Sequence, residues 1–194
     1  MERRVITTGL IAGLVVVGWT SVSYGLVRIR DELGYKEVSN EETVLGVLDA
    51  SLEETGLYLV PGHSPPDSLF RVRYADGPMF RVHALRSGAG GVPHVVLPIL
   101  ALMIAPIIPA WLLWNLCQRN RPGFGMRVVV VALFGVFAAL TTDLRLWGME
   151  LYPLGYSLLL AFGSVTTWIL AGLVVAWRIK PSVDRPVESL QASA

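Results

Sequence analysis

The chain has 194 residues, of which 53% are hydrophobic and 16% charged, and its formal net charge is +1. A soluble domain carries about a quarter charged residues, so the low charge and a mean hydropathy of +0.55 exclude that class. We do not expect nucleic acid as a partner, because the small net charge provides no long-range field that would recruit a polyanion. With one cysteine, Cys117, the chain forms no intrachain disulfide.

The apolar residues fall in four blocks, and about 20 apolar residues in a helix span the hydrocarbon core of a bilayer. The blocks are residues 5–27, about 95–117, 128–142 and 151–177. The third block is short, and it crosses a bilayer if Asp143 lies near a boundary or if its helix continues through the next four residues. The sequence therefore predicts an all-α membrane protein with four transmembrane helices, the last three within residues 94–177.

The placement of Lys and Arg predicts the orientation of these helices. With the N-terminus in the cytoplasm, the inner segments hold eight of the 16 basic residues, and the outer segments hold the other eight over more than twice the length. The higher density of basic residues in the inner segments favours an orientation with both termini in the cytoplasm. Residues 178–194 then form a cytoplasmic tail.

The first block, within residues 1–27, has two interpretations. A basic start before an apolar block also describes a cleaved signal peptide, but this block is longer than such peptides usually carry. A retained helix contains the motif Gly9-x-x-x-Gly13, and small residues at this spacing allow close packing on another helix. We predict a transmembrane helix that packs through Gly9 and Gly13.

Residues 28–93 predict a small α+β cap outside the cytoplasm, between the first and second helices. Asn40 before two glutamates predicts the start of a helix over about 40–55. Residues 57–60 are a strand candidate that ends at a Pro-Gly pair. Because about 65 residues bury little core, we expect the cap to rest on the helix ends or on a partner.

The second half of the cap gives the clearest strand pattern. Over about residues 69–85, apolar residues alternate with basic ones on both sides of Asp76 and Gly77. This alternation predicts a β-hairpin joined by an Asp-Gly turn. Its basic face either binds an anionic ligand or lipid headgroups, or is a solvated strand face.

Pro106 and Pro109 lie within the second predicted span. A proline removes one backbone hydrogen bond and kinks the helix, which here frees the carbonyls of Leu102 and Ala105. Freed carbonyls coordinate ions in some transporters, whereas in other membrane proteins neighbouring groups satisfy them. The kink is therefore either a determinant of shape or part of an ion site.

Asp143 is the charge expected deepest in the membrane, about 24 Å along a helix from Arg127. An ionisable group at such a depth is a functional candidate. Arg145 and Glu150 are close enough in sequence to pair with it. Asp143 and Arg145 thus predict either an anchoring ion pair or an ion site.

Three histidines, His63, His83 and His94, fall outside the membrane or at its outer interface, and with Asp67 they are weak candidates for a metal site. They lack the local spacing of metal-binding motifs, so unrelated histidines are the simpler interpretation. No other catalytic or cofactor motif is present. Trp168, in the middle of the fourth span, either packs inside the bundle or contacts a lipid tail or a pigment.

Several short motifs resemble those of known membrane proteins. They are Gly18-Trp19, residues 54–58 followed by Pro61-Gly62, residues 76–78, Trp147 with Tyr152-Pro153, and Lys180-Pro181. In these motifs the chain resembles a loose group of small, uncharacterised bacterial four-span inner-membrane proteins. The resemblance implies a multi-pass inner-membrane location and no particular activity.

Three functions remain open from the sequence. The first is a non-catalytic, structural or accessory subunit of a larger membrane complex, such as an energy-converting one, with lipids and other membrane subunits as partners. The second is a small oligomeric transporter or ligand-binding protein that uses Asp143 and the Pro106/Pro109 kink. The third is a membrane enzyme or metal-dependent redox protein that uses the outer histidines.

Overall fold

The structure is a computed structural model, and it describes residues 3–26, 36–62, 68–86 and 92–181. The chain divides into two compact units. The helical unit comprises Met1–Tyr35 and Val96–Ala194, and the small unit comprises Lys36–Val95. The predicted tail lies outside the described residues from position 182 onward.

The described part of the chain is mostly helical. The first helix, α1, is Arg3–Leu26, and the small unit contributes α2 (Glu41–Ser51), β1 (Gly56–Val60), α3 (Ser68–Asp76) and β2 (Phe80–Ala84). The remaining helices are α4 (Val92–Ile104), α5 (Ile107–Arg119), α6 (Phe124–Ala138), α7 (Leu144–Glu150) and α8 (Leu154–Arg178). A single π-helical turn, Ala139–Asp143, joins α6 to α7.

Four helical segments are long and apolar enough to cross a membrane, as the sequence predicts. They are Arg3–Ser23, His94–Arg119, Phe124–Glu150 and Leu154–Arg178. The third segment reaches this length because the helix continues past Asp143 through the π turn to Glu150. These four segments indicate a multi-pass membrane protein, and we call them spans one to four.

The helical unit is held together by small residues at its helix crossings. A Cβ atom on Gly135 of α6 would lie 2.8 Å from the Ser164 carbonyl oxygen of α8, and one on Gly172 would lie 3.0 Å from the Val128 carbonyl oxygen. The backbones of α6 and α8 are therefore in close contact at two levels. Lipid provides no hydrophobic driving force between helices, so such close packing is what holds a membrane bundle together.

The small unit contains a two-stranded antiparallel sheet in which β1 pairs with β2. Tyr58 lies opposite Val82, and Val60 lies opposite Phe80. The strand predicted at residues 57–60 is thus confirmed, and so is the helix start at Asn40, although α2 ends at Ser51 rather than near 55.

The predicted hairpin over residues 69–85 is wrong, because its first half is the helix α3. Gly77 has a φ of +69°, and its N–H donates to the Arg73 carbonyl 2.8 Å away. This is a left-handed glycine that ends a helix, whereas the sequence pattern places Gly77 in a hairpin turn. The alternation of apolar and basic residues is consequently split between a helix and a strand, and no single basic strand face forms.

Candidate functional site

The structure places Asp143 at the end of the π turn, seven residues before the end of span three. This corresponds to about 10 Å from the end of the helix. The carboxylate is buried, with 9% of the residue exposed. A π turn inserts an extra residue into a helix and changes which side chains face inward, and such turns are frequent at functional sites.

The partner of Asp143 is not the predicted arginine. Ser164 of α8 donates a hydrogen bond to Asp143 Oδ2 over 2.6 Å. Arg145 instead lies 3.8 Å from Glu150, and both belong to the exposed end of span three. The predicted Asp143–Arg145 ion pair is therefore wrong, because the two side chains diverge around the helix and α8 provides a nearer donor.

At the predicted kink in span two, a two-residue turn of Ala105 and Pro106 separates two helices. The helix α4 ends at Ile104, Pro106 precedes α5, and Pro109 lies buried in the first turn of α5. The Ala105 carbonyl accepts the Ile108 N–H over 3.2 Å. Ala105 is thus not the freed carbonyl that the sequence predicts, since the tighter turn at the break supplies a donor.

Gly9 and Gly13 pack inside this chain. A Cβ atom on Gly9 would lie 2.6 Å from the Ile107 Cα atom, and one on Gly13 would lie 2.7 Å from the Met103 Cα atom. The predicted close packing is confirmed, and its partner is the broken span two. Residue numbers rise from Gly9 to Gly13 along α1 while those of their contacts fall from Ile107 to Met103 along span two, so the two spans run antiparallel.

The three histidines do not form a site in the described part of the chain. His83 lies exposed in β2, His94 lies exposed near the start of α4, and His63 and Asp67 lie outside the described residues. Among the residues described, no three His, Cys, Asp or Glu side chains come together as metal ligands.

Trp168 packs inside the helical unit, which is one of the two interpretations of the sequence. Its side chain is partly buried and packs against the core of the bundle, and its ring lies 5.6 Å from the Phe134 ring, centroid to centroid. Cys117 is also buried, with 2% exposed.

At the end of the bundle opposite Asp143, arginine side chains bind backbone carbonyls, and the sequence does not predict these contacts. Arg127 Nη1 donates to the Ile179 carbonyl over 2.6 Å, and Arg4 Nη2 donates to the Arg178 carbonyl over 2.8 Å. Two arginines from different helices thus bind the last carbonyl of α8 and the carbonyl of the residue that follows it. Cations are favoured there because the last carbonyls of a helix lack intrahelical partners and carry partial negative charge.

A third contact completes this arginine clamp, by which we mean Arg4, Arg127 and Arg178. Arg178 Nε donates to Thr8 Oγ1 over 3.3 Å, and Thr8 is fully buried in α1. The clamp joins α1, α6 and α8 at one level. Basic residues near the ends of several apolar blocks are the sequence signal for it, but which carbonyls they bind depends on how the helices pack.

Comparison of the chain with protein-family models, with curated proteins and with solved structures gives no match.

Proposed function

We propose that this chain is a non-catalytic membrane protein that serves as a structural or accessory subunit of a larger membrane complex, for example an energy-converting one. The observation that carries the proposal is the uncovered apolar surface of the small unit. Within residues 36–62 and 71–86, Leu52 is the one apolar residue that is buried, with 8% exposed. A unit that buries so little of its own surface gains stability from a partner.

One face of the sheet in the small unit is entirely apolar, whereas the other combines Leu57 and Leu59 with His83 and Arg81. Directly paired residues lie on the same face, and successive residues point to opposite faces. The pairs Tyr58–Val82 and Val60–Phe80 therefore share a face, on which Val60 is 49% exposed and Phe80 57% exposed. An exposed apolar sheet face outside the membrane is the type of surface that another protein covers.

The proposed location is the bacterial inner membrane, with both termini in the cytoplasm and the small unit outside it. The helical unit supports this orientation through its charge. Its described acids are Asp143 and Glu150, both toward one end, whereas the arginine clamp and Arg119 lie at the other. The end that is rich in arginine faces the cytoplasm by the positive-inside rule.

The test is native gel electrophoresis and mass spectrometry of the protein, extracted in mild detergent from the cells that produce it. We expect a band in which other membrane proteins occur in fixed stoichiometry. Phe80→Ser should release the chain from this band, because it removes the most exposed apolar side chain of this face. Leu57→Ser is the matched control, since Leu57 is 73% exposed and lies on the opposite face.

Two results would contradict the proposal. One is migration of the wild-type chain alone or as a homo-oligomer. The other is equal release by Leu57→Ser and Phe80→Ser, which would attribute the effect to a general loss of apolar surface.

A second function, that of a small oligomeric transporter, is favoured by the buried Asp143–Ser164 pair. The carboxyl group lies inside the helical unit and bonds a neutral hydroxyl instead of a cation. Such a group is suited to exchange a proton or to bind a cation. Four helices enclose little space, so this function requires several copies of the chain.

Proton flux into proteoliposomes, driven by a potassium diffusion potential, tests this second function. We expect the wild-type flux to be lost in Asp143→Asn and kept in Arg145→Gln, because Arg145 pairs with Glu150 away from the carboxyl group. An Asp143→Asn protein with wild-type flux would exclude the role of this residue.

A further inference from the structure

A pocket opens at the end of the helical unit that carries the arginine clamp. It has a volume of about 270 Å³, and Arg4, Trp177, Arg178 and Lys180 line it. Arg4 belongs to the first turn of α1, and the other three residues belong to the end of α8 or follow it. Three of the four lining side chains are cations, so the pocket is suited to an anion.

Two of these cations are held in place by neutral groups. Arg4 binds the Arg178 carbonyl, and Arg178 binds the Thr8 hydroxyl. A guanidinium group has five N–H donors, and each of these bonds uses one of them. Donors therefore remain on both arginines for a ligand, and the bonds already formed reduce the entropy lost when the ligand binds.

The positive charge at this end is not balanced by acids in the described residues. Within positions 3–26 and 96–181 the acids are Asp143 and Glu150, and both lie toward the opposite end of the bundle. Arg4, Arg178 and Lys180 thus face one another without a described carboxylate between them. A bound anion would relieve this repulsion.

The position of the pocket identifies the source of the anion. Trp177 is 65% exposed at the end of a span, where tryptophan side chains sit at the level of lipid headgroups. Leu173 and Ile169 precede it at intervals of four residues on α8 and are 42% and 38% exposed. Residues four apart lie on the same face of a helix, so an apolar strip runs from the pocket into the membrane region.

We propose that Arg4, Arg178 and Lys180 bind the phosphate of an anionic phospholipid, whose acyl chain lies along Trp177, Leu173 and Ile169. The cations provide charge-assisted hydrogen bonds to the phosphate oxygens. The apolar strip contacts the acyl chain of the lipid. A free phosphate ion has no acyl chain and would not use the strip. Basic pockets between transmembrane helices bind lipid headgroups by the same chemistry.

Native mass spectrometry of the full chain in mild detergent tests the proposal, with phosphatidylglycerol and phosphatidylcholine as probes. We expect tighter binding of phosphatidylglycerol, which carries a net negative charge. Lys180→Gln should weaken that binding about five-fold, which is the effect of removing one cation next to an anionic lipid surface. Arg119→Gln is the matched control, because it removes a cation from the same end of the bundle but outside the pocket.

A second variant separates the lipid from a free phosphate ion. Leu173→Ser should weaken binding of phosphatidylglycerol, and inorganic phosphate at millimolar concentration should not displace the lipid. Three outcomes would overturn the proposal: equal affinity for the two lipids, equal effects of Lys180→Gln and Arg119→Gln, and displacement by inorganic phosphate. The last would assign the pocket to a soluble phosphate.

Discussion

The crossing of span one with span two provides a direct test of the fold through Gly13→Ala. The new Cβ atom would lie 2.7 Å from the Met103 Cα atom and 2.8 Å from its carbonyl carbon. Contacts this short require the two backbones to move apart, because backbone atoms cannot rotate away as the end of a side chain can. Overpacking of this kind costs about 1–3 kcal/mol.

Gly18→Ala is the matched control, because it makes the same change on the same helix. A Cβ atom on Gly18 meets nothing within 4 Å. Both variants gain the same helix propensity, up to about 1 kcal/mol, so this term cancels when they are compared. We therefore expect Gly13→Ala to be less stable than Gly18→Ala by about 1–3 kcal/mol.

The single cysteine of the chain provides the assay. Cys117 lies buried in α5, so a maleimide dye that fluoresces on reaction with a thiol labels it when the bundle opens. For a protein of this size 1 kcal/mol corresponds to about 2–4 °C in Tm, so the midpoints should differ by about 2–12 °C. A Gly13→Ala midpoint equal to or above that of Gly18→Ala would refute the close crossing.

Two further predictions use the same assay. Ser164→Ala should lower the stability by about 1–3 kcal/mol, because it removes the hydrogen bond to the buried Asp143 carboxyl group. Thr166→Ala is the control, because the Thr166 hydroxyl bonds carbonyls of its own helix, and it should change the stability by less than about 0.5 kcal/mol. Arg127→Met should cost about 1–3 kcal/mol, because it leaves the buried Ile179 carbonyl without its donor. Equal midpoints for the two hydroxyl variants, or a wild-type midpoint for the arginine variant, would contradict the corresponding contact.

The spans are the part of the fold that can be predicted from the sequence. A helix satisfies its own backbone hydrogen bonds, so about 20 apolar residues suffice to form a span without knowledge of its neighbours. Local signals also predict the start of α2 at Asn40, the strand β1 and a kink at Pro106. Each of these features depends on residues within a few positions of one another.

The small unit shows where local signals are insufficient. Gly77 is compatible with a hairpin turn and with the left-handed residue that ends a helix. In the structure Phe80–Ala84 pairs with β1, which lies more than 20 positions earlier in the chain, and not with Ser68–Asp76, which is helical. This pairing joins distant residues, so the local pattern around Gly77 does not predict it.

The contacts of the charged residues were decided by tertiary structure alone. Asp143 and Ser164 are 21 positions apart, Arg127 and Ile179 are 52 apart, and Arg4 and Arg178 are 174 apart. The positive-inside rule predicts from the sequence that arginines gather at one end of the bundle, because the rule depends on the membrane and not on which helices are neighbours. The atom that each arginine binds depends on which helices are neighbours, and that is set by the close packing of small residues rather than by the apolar pattern of any one span.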